Sequence, residues 1–132
     1  MSKRVTSMIS EAESRVMEVL WRNAPQGSEE LAAALHGDTA WHENTVRTLL
    51  NRLVRKGAVR AEREGRRYLY SPVLTREQWQ THESRSLLDR VFGGRVAPLL
   101  VHFSRNEKLS AKDVAELRKL VDQLEKKERR DD

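Results

Sequence analysis

Trp41-His-Glu-Asn-Thr-Val-Arg-Thr-Leu-Leu-Asn-Arg-Leu-Val-Arg-Lys-Gly57 is the stretch whose reading decides the fold. Val46, Leu49, Leu50, Leu53 and Val54 stand at i, i+3, i+4, i+7 and i+8, the spacing that lays one apolar stripe along an α-helix. At about 100° per residue, Asn44, Thr48, Asn51, Arg52 and Arg55 project from the opposite side, with Thr45 and Arg47 on its shoulders. None of these is a carboxylate. A merely solubilising helix face mixes both charge signs, whereas hydroxyls, amides and guanidiniums suit phosphate oxygens and base edges. The stretch predicts a helix with one side in a core and the other reading DNA.

Upstream, Ser10-Glu-Ala-Glu13 has the form of a capping box and predicts a helix start, with Ile9 ahead of it as a staple residue. Val16, Val19 and Leu20 form the buried side of that helix, Trp21 closes the face, and Pro25 with Gly27 ends it. Ser28 is a second N-cap candidate, opening the alanine-rich run Glu29 to Leu35, which stops by Gly37. The decisive helix then begins near His42 and ends at Gly57, a natural left-handed C-cap. Trp41, at the turn before it, is expected to anchor the core.

Beyond Gly57 the period changes from 3.6 to 2. Val59, Ala61 and Arg63 alternate with charged residues, and Arg67, Leu69 and Ser71 alternate with Tyr68 and Tyr70. Glu64-Gly65 lies between the two runs, so the segment predicts a β-hairpin whose tip carries Arg63, Arg66 and Arg67. Three helices followed by a basic hairpin make a winged helix-turn-helix, in which the third helix enters the major groove and the wing follows the backbone or minor groove. Between Arg47 and Arg67 stand eight basic residues and two acidic ones, a net +6 in a chain of net +5. The basicity belongs to this one segment.

After Pro72, Thr75-Arg-Glu-Gln78 repeats the capping-box form and starts a helix running to Phe92, and Gly93-Gly94 breaks it. The stretch from Arg95 to Arg105 carries Val96, Leu99, Leu100 and Phe103 at helical spacing, with Pro98 in the first turn, where its missing amide is tolerated. Ser110-Ala-Lys-Asp113 caps a last helix with Val114, Leu117, Leu120, Val121 and Leu124 along one seam. A stripe with no domain left to cover it calls for a partner, here a second copy of the chain. The charged tail after Leu124 is expected to fray. The expected fold is therefore mainly α with a small β-hairpin wing: a winged-helix DNA-binding domain at residues 1–72 and a helical dimerisation domain at 73–132.

The chain contains no cysteine, which removes disulfides, thiolate metal sites and cysteine nucleophiles. The Met1-Ser-Lys-Arg4 start has no apolar run behind it, and no uncharged stretch approaches membrane-spanning length, so a soluble, cytoplasmic protein without membrane insertion is expected. His36, His42, His82 and His102 lack metal-site spacing. The glutamates at helix starts are accounted for by capping and the macrodipole, and Ser10, Ser28 and Ser110 are N-cap candidates without a neighbouring base. No catalytic residue, metal site or cofactor is expected, and an enzyme reading has nothing to rest on.

The residues support a close resemblance to the penicillinase-repressor (BlaI/MecI/CopY) family of bacterial regulators over nearly the whole length. It rests on Ile9-Ser-Glu-Ala-Glu13 with Met17 and Trp21, and on Trp41-x-x-x-Thr45-Val-x-Thr48-Leu-Leu-x-Arg52-Leu-Val-x-Lys56-Gly57. It rests also on Glu64-Gly65-Arg66 leading to Tyr70-Ser-Pro72. The resemblance implies a homodimeric repressor that binds palindromic double-stranded DNA operators upstream of resistance genes. It places Asn44, Thr45, Arg47 and Thr48 at the front of the reading helix, Arg52 near the backbone, and Gly65 and Arg66 at the wing tip. Arg55, Arg63, Arg67 and the helix amino terminus at Ser10 join the expected phosphate contacts.

Where the family often has Ser-Pro before the reading helix, His42-Glu43 stands here, putting a negative charge near DNA. The family's copper-sensing branch uses cysteine pairs, which this chain lacks. Its β-lactam branch is relieved by a membrane sensor-protease that triggers cleavage between an Asn and a Phe; the matching pair is His102-Phe103, a departure at the first position. A protein-binding winged helix is the rival reading, and it predicts apolar residues on the helix face that here carries Thr, Asn and Arg. RNA binding is a more distant rival, carried only by Tyr68 and Tyr70 as stacking surfaces.

Overall fold

A computed structural model describes residues 9–131; the Met1–Arg4 start lies outside the described residues. Ser10 caps α1 (Glu11–Arg22): its hydroxyl accepts from the Glu13 amide at 3.1 Å, and the Glu13 carboxylate accepts from the Ser10 amide at 2.8 Å. The capping box expected from Ser-x-x-Glu thus forms with both of its bonds.

In α2 (Ser28–Leu35) the cap is Gly27, not Ser28 as the sequence suggested. Ser28 is the first helical residue, and its hydroxyl donates to Glu43 Oε1 at 3.1 Å. With its backbone already helical, Ser28 lies one residue too late for its oxygen to cap the helix, and the hydroxyl bonds the next helix instead.

α3 (Glu43–Lys56) ends at Gly57, whose φ of 82° lets its amide reach back to the Leu53 and Val54 carbonyls. Val46, Leu49, Leu50 and Leu53 are buried as the periodicity requires, but Val54 is 37% exposed. It points roughly 90° from the mean direction of the other four, at the edge of the stripe. The core joins these residues to Ile9, Val16, Met17 and Leu20 around α1 and to Leu31 and Leu35 of α2, and Trp41 packs against it.

β1 (Val59–Glu64) and β2 (Arg67–Pro72) pair antiparallel with Ala61 opposite Tyr70 and Glu64 opposite Arg67. The connecting loop is Gly65-Arg66, one residue later than the alternation suggested. Gly65 has φ 64° and Arg66 has no positive φ. That is the pattern of a type II′ turn, whose twist matches that of the strands. A third position beside the hairpin is reduced to one bridge: the Gln26 amide donates to the Tyr70 carbonyl at 3.1 Å and the Tyr70 amide to the Gln26 carbonyl at 2.8 Å.

Thr75 and Gln78 form the second capping box, with bonds of 2.9 and 3.1 Å, at the start of α4 (Arg76–Val91). Trp21 fastens this region to α1. Its indole donates to the Leu74 carbonyl at 2.8 Å, its ring lies 5.4 Å from that of Trp79, and the Arg76 guanidinium sits over it at 5.5 Å.

The chain divides into two compact units after Ser84, within α4. The second unit holds the rest of α4, α5 (Val96–Asn106) and α6 (Ala111–Asp131). Ser110 caps α6 by accepting from the Asp113 amide at 3.0 Å. Neither α5 nor α6 contains a buried residue. Val96, Phe103, Val114, Leu120, Val121 and Leu124 are exposed, and Leu99, Leu100 and Leu117 are half-buried. α6 continues to Asp131, past the point where fraying was expected. Glu125 to Arg130 are good helix formers, and Arg129 and Arg130 complement the negative helix end. No described helix is long and apolar enough to cross a membrane.

Candidate nucleic-acid interface

The outward face of α3 follows from its inward one. With Val46, Leu49, Leu50 and Leu53 fixed in the core, the helix has no rotational freedom left, and Asn44, Thr45, Thr48, Asn51, Arg52 and Arg55 are all exposed. The Thr48 hydroxyl donates to the Asn44 carbonyl at 3.0 Å, which fixes its rotamer while leaving its lone pairs and methyl outward. Among the described residues neither Arg52 nor Arg55 takes part in an ion pair, so both guanidiniums are available to an anion.

Arg47 differs. Its Nη2 lies 2.8 Å from Glu43 Oε1 and its Nε donates to Ser28 Oγ at 3.4 Å. The carboxylate that the sequence placed as an unbalanced charge near DNA is therefore matched by a guanidinium one turn away, at the i,i+4 spacing that favours such pairs.

On the wing, Arg66 lies in the loop and is exposed, while Arg63 donates from Nε to the Gly65 carbonyl at 3.2 Å and braces the turn. Arg67 opens β2 and reaches back to α2, where Nη1 meets Glu30 Oε1 at 2.5 Å. The start of α2, the middle of α3 and the wing enclose a cleft of about 290 Å³ lined by Ser28, Arg47, Asn51, Arg66, Arg67 and Tyr68, among others. Half of the basic residues counted in the sequence are paired internally: Arg47 with Glu43, Lys56 with Glu13, Arg60 with Glu62 and Arg67 with Glu30. The positive field is narrower than net charge suggests and is concentrated at Arg52, Arg55, Arg63 and Arg66.

The Lys56–Glu13 pair had no local signal in the sequence. The ammonium lies 2.6 Å from Glu13 Oε1, tying the end of α3 to the start of α1 across 43 positions. Burial is the largest single influence on the Glu13 carboxyl and raises its pKa. The Lys56 hydrogen bond, the Ser10 amide and hydroxyl and the Lys56 charge together more than offset it, and the group titrates below its ordinary value. Ser10 is committed to this cluster as well as standing at the amino terminus of α1.

Tyr70 is buried in the core and Tyr68 is 51% exposed, so the two tyrosines do not form a shared stacking surface, and the RNA reading loses its support. The His102–Phe103 bond lies inside α5, with the His102 ring 6.1 Å from that of Phe92. A protease that takes an extended substrate would have to unwind that helix.

Residues 9–123 match the family model for the penicillinase repressor. The chain belongs to the penicillinase repressor family. Among curated members, the penicillinase repressor of Bacillus licheniformis is 30% identical over 115 residues, which are 87% of this chain and 90% of that protein. The methicillin resistance regulatory protein MecI of Mammaliicoccus sciuri is 25% identical over 116 residues, 88% and 94% of the two chains. Of solved structures, the DNA-binding domain of the repressor BlaI is 33% identical, covers 59% of this chain and 93% of that domain, and superposes with a TM-score of 0.50. The expected fold, mainly helical with a two-stranded wing, is the one observed, and its winged helix is shared with a DNA-binding domain of a penicillinase repressor.

Proposed function

We propose that the protein is a DNA-binding transcriptional repressor that acts by binding and not by catalysis, holding a palindromic operator as a homodimer and excluding transcription from it. The observation that carries the reading is the outer face of α3, six exposed Asn, Thr and Arg side chains held rigidly by a buried apolar stripe and flanked by an arginine at the wing loop.

Asn44, Thr45, Arg47 and Thr48 read base edges. Arg52, Arg55, Arg63, Arg66, Arg67, the Gly65 backbone and the α1 terminus at Ser10 hold the phosphates. Residues 73–132 supply the dimer contact through Val96, Leu99, Leu100, Phe103, Val114, Leu117, Leu120, Val121 and Leu124, while residues 1–72 bind DNA. The exposed stripes on α5 and α6 support a dimer contact in the second part, although the compact unit that holds them begins at Arg85. Curated relatives are named for penicillinase and methicillin resistance, and the regulated genes are of that kind or related to it. A membrane sensor-protease that triggers cleavage at His102–Phe103 is the inducing route we infer, and exposure of producing cells to a β-lactam should then yield a fragment ending near His102. An intact chain under full induction rules that route out.

Footprinting on the DNA upstream of the protein's own gene, with gel shifts on duplex DNA and RNA, tests the main reading. Protection of a palindrome with half-sites one or two helical turns apart is expected. A chain that protects no DNA is instead a protein-interaction module.

A further inference from the structure

Glu43 Oε1 is the hub of a small network at the front of α3. Arg47 Nη2 lies 2.8 Å from it and Ser28 Oγ 3.1 Å, and Arg47 Nε reaches the same serine oxygen at 3.4 Å. Ser28 opens α2, so the contact spans two elements and gives the carboxylate one orientation instead of several. The side chains are 56% exposed at Arg47 and 35% at Glu43, at the margin of the cleft between α2, α3 and the wing.

Resting on the DNA reading above, we propose that Glu43 is a specificity-determining residue: it holds the Arg47 guanidinium away from backbone phosphates and, still paired, in one direction for an operator base edge that offers two acceptors.

The relative strengths of three contacts carry the argument. A solvent-exposed carboxylate–guanidinium pair shifts an equilibrium by up to about fivefold. One phosphate contact on random duplex is of comparable size at ordinary salt. Exchanging the one for the other therefore gains little, and leaves the freed carboxylate facing a polyanion. A guanine edge takes the guanidinium through two parallel hydrogen bonds and discriminates by about fivefold to more than a hundredfold. That contact needs no exchange, because the Glu43 and Ser28 bonds use two of the five guanidinium N–H groups and leave three for the base edge. Non-cognate binding is weakened more than cognate binding, which raises the ratio between them at some cost in total affinity. Ser28 sharpens the effect by fixing the carboxylate, so Arg47 keeps a single direction. A first-turn glutamate also complements the positive end of its helix. That role does not involve Arg47 and predicts no coupling between the two residues.

The test uses the full-length chain, Glu43→Gln, Arg47→Ala and the double variant. Each is titrated over a salt series against the footprinted operator and against random duplex of equal length. Glu43→Gln is expected to tighten random duplex about three- to tenfold and to steepen its log–log salt dependence by about one unit per protomer. Operator binding should change less than about twofold. In the Arg47→Ala background the Glu43 substitution should move both duplexes equally, and Ser28→Ala should reproduce part of the loss of discrimination. Equal tightening on both duplexes with Arg47 present, or the same selective effect with Arg47 absent, overturns the proposal while leaving the repressor reading intact. A wild-type chain with no preference for any duplex removes the repressor reading, and the role of Glu43 with it.

Discussion

The two units of the chain contrast in what they do with their apolar residues. In the first, α1, α2, α3 and the hairpin close around Val16, Met17, Leu20, Leu31, Val46, Leu50 and Leu53, each almost wholly removed from solvent. In the second, α5 and α6 contain no fully buried residue, although Val96, Leu99, Leu100 and Phe103 on one and Val114, Leu117, Leu120, Val121 and Leu124 on the other are spaced as regularly as the stripe of α3. Periodicity alone does not say whether a stripe is covered within the chain. The difference lies in supply: α3 has two helices and a hairpin to pack on, whereas the second unit has too few elements to surround either of its stripes. Its stability should therefore depend on a second copy, and that of the first should not.

The strongest way to break this contrast is to charge the exposed seam. Leu117→Asp with Val121→Asp should give monomers in sedimentation and lower operator affinity by on the order of a thousandfold, towards non-specific binding. Dimers that survive both substitutions place the interface elsewhere.

Next in size is a core truncation. Leu50→Ala should cost roughly 2–5 kcal/mol of stability, with a melting shift independent of protein concentration. For Leu120→Ala the shift should instead grow as the protein is diluted, because dissociation and unfolding are linked there. A concentration-independent shift at Leu120 would show that α6 is stabilised within its own chain.

A third prediction concerns the Glu13–Lys56 tie of the first unit. The folded-state carboxyl titrates below its unfolded value. Its contribution is thus fully present above the ordinary glutamate range near about 4.3 and is lost as pH falls through the lower folded value. Glu13→Gln should cost roughly 1.5–3 kcal/mol at neutral pH and flatten the acid limb of stability against pH. An unaltered acid limb would mean that other carboxylates govern acid unfolding.

The smallest effect is at Arg52, which has no ion-pair partner among the described residues. Arg52→Ala should weaken operator and random duplex alike and reduce the salt slope by about one unit per protomer. An unchanged slope removes Arg52 from the phosphate contacts.

Local signals were legible where chemistry and spacing coincide within a few residues. Ser10 and Glu13, and again Thr75 and Gln78, form the capping boxes their spacing implies, and Gly57 takes the left-handed conformation that ends α3. The Glu43–Arg47 pair was within reach too, since a glutamate four residues ahead of an arginine is a standard helical pair. Other features had no such sign. The Gln26–Tyr70 bridge, the Arg67–Glu30 pair and the Lys56–Glu13 tie join residues whose separation in sequence carries no period. Ser28 misled for a related reason: as a serine beside an acidic helix start it reads as a cap, but the helix begins one residue earlier, and no local sign marks the arrival of Glu43 at its hydroxyl.

The sequence by itself determined the elements, the stripes that face inward on the first three helices, and the carboxylate-free face of α3. These follow from the pitch of the helix and from the partition of apolar and polar side chains between core and water. The tertiary structure alone decided which charges are free to meet DNA. Ion pairing depends on distance through space, and half of the basic residues between Arg47 and Arg67 are matched by carboxylates, two of these from other elements. It left Arg52, Arg55 and Arg66 open, held Arg47 behind Glu43, and showed the stripes of α5 and α6 uncovered.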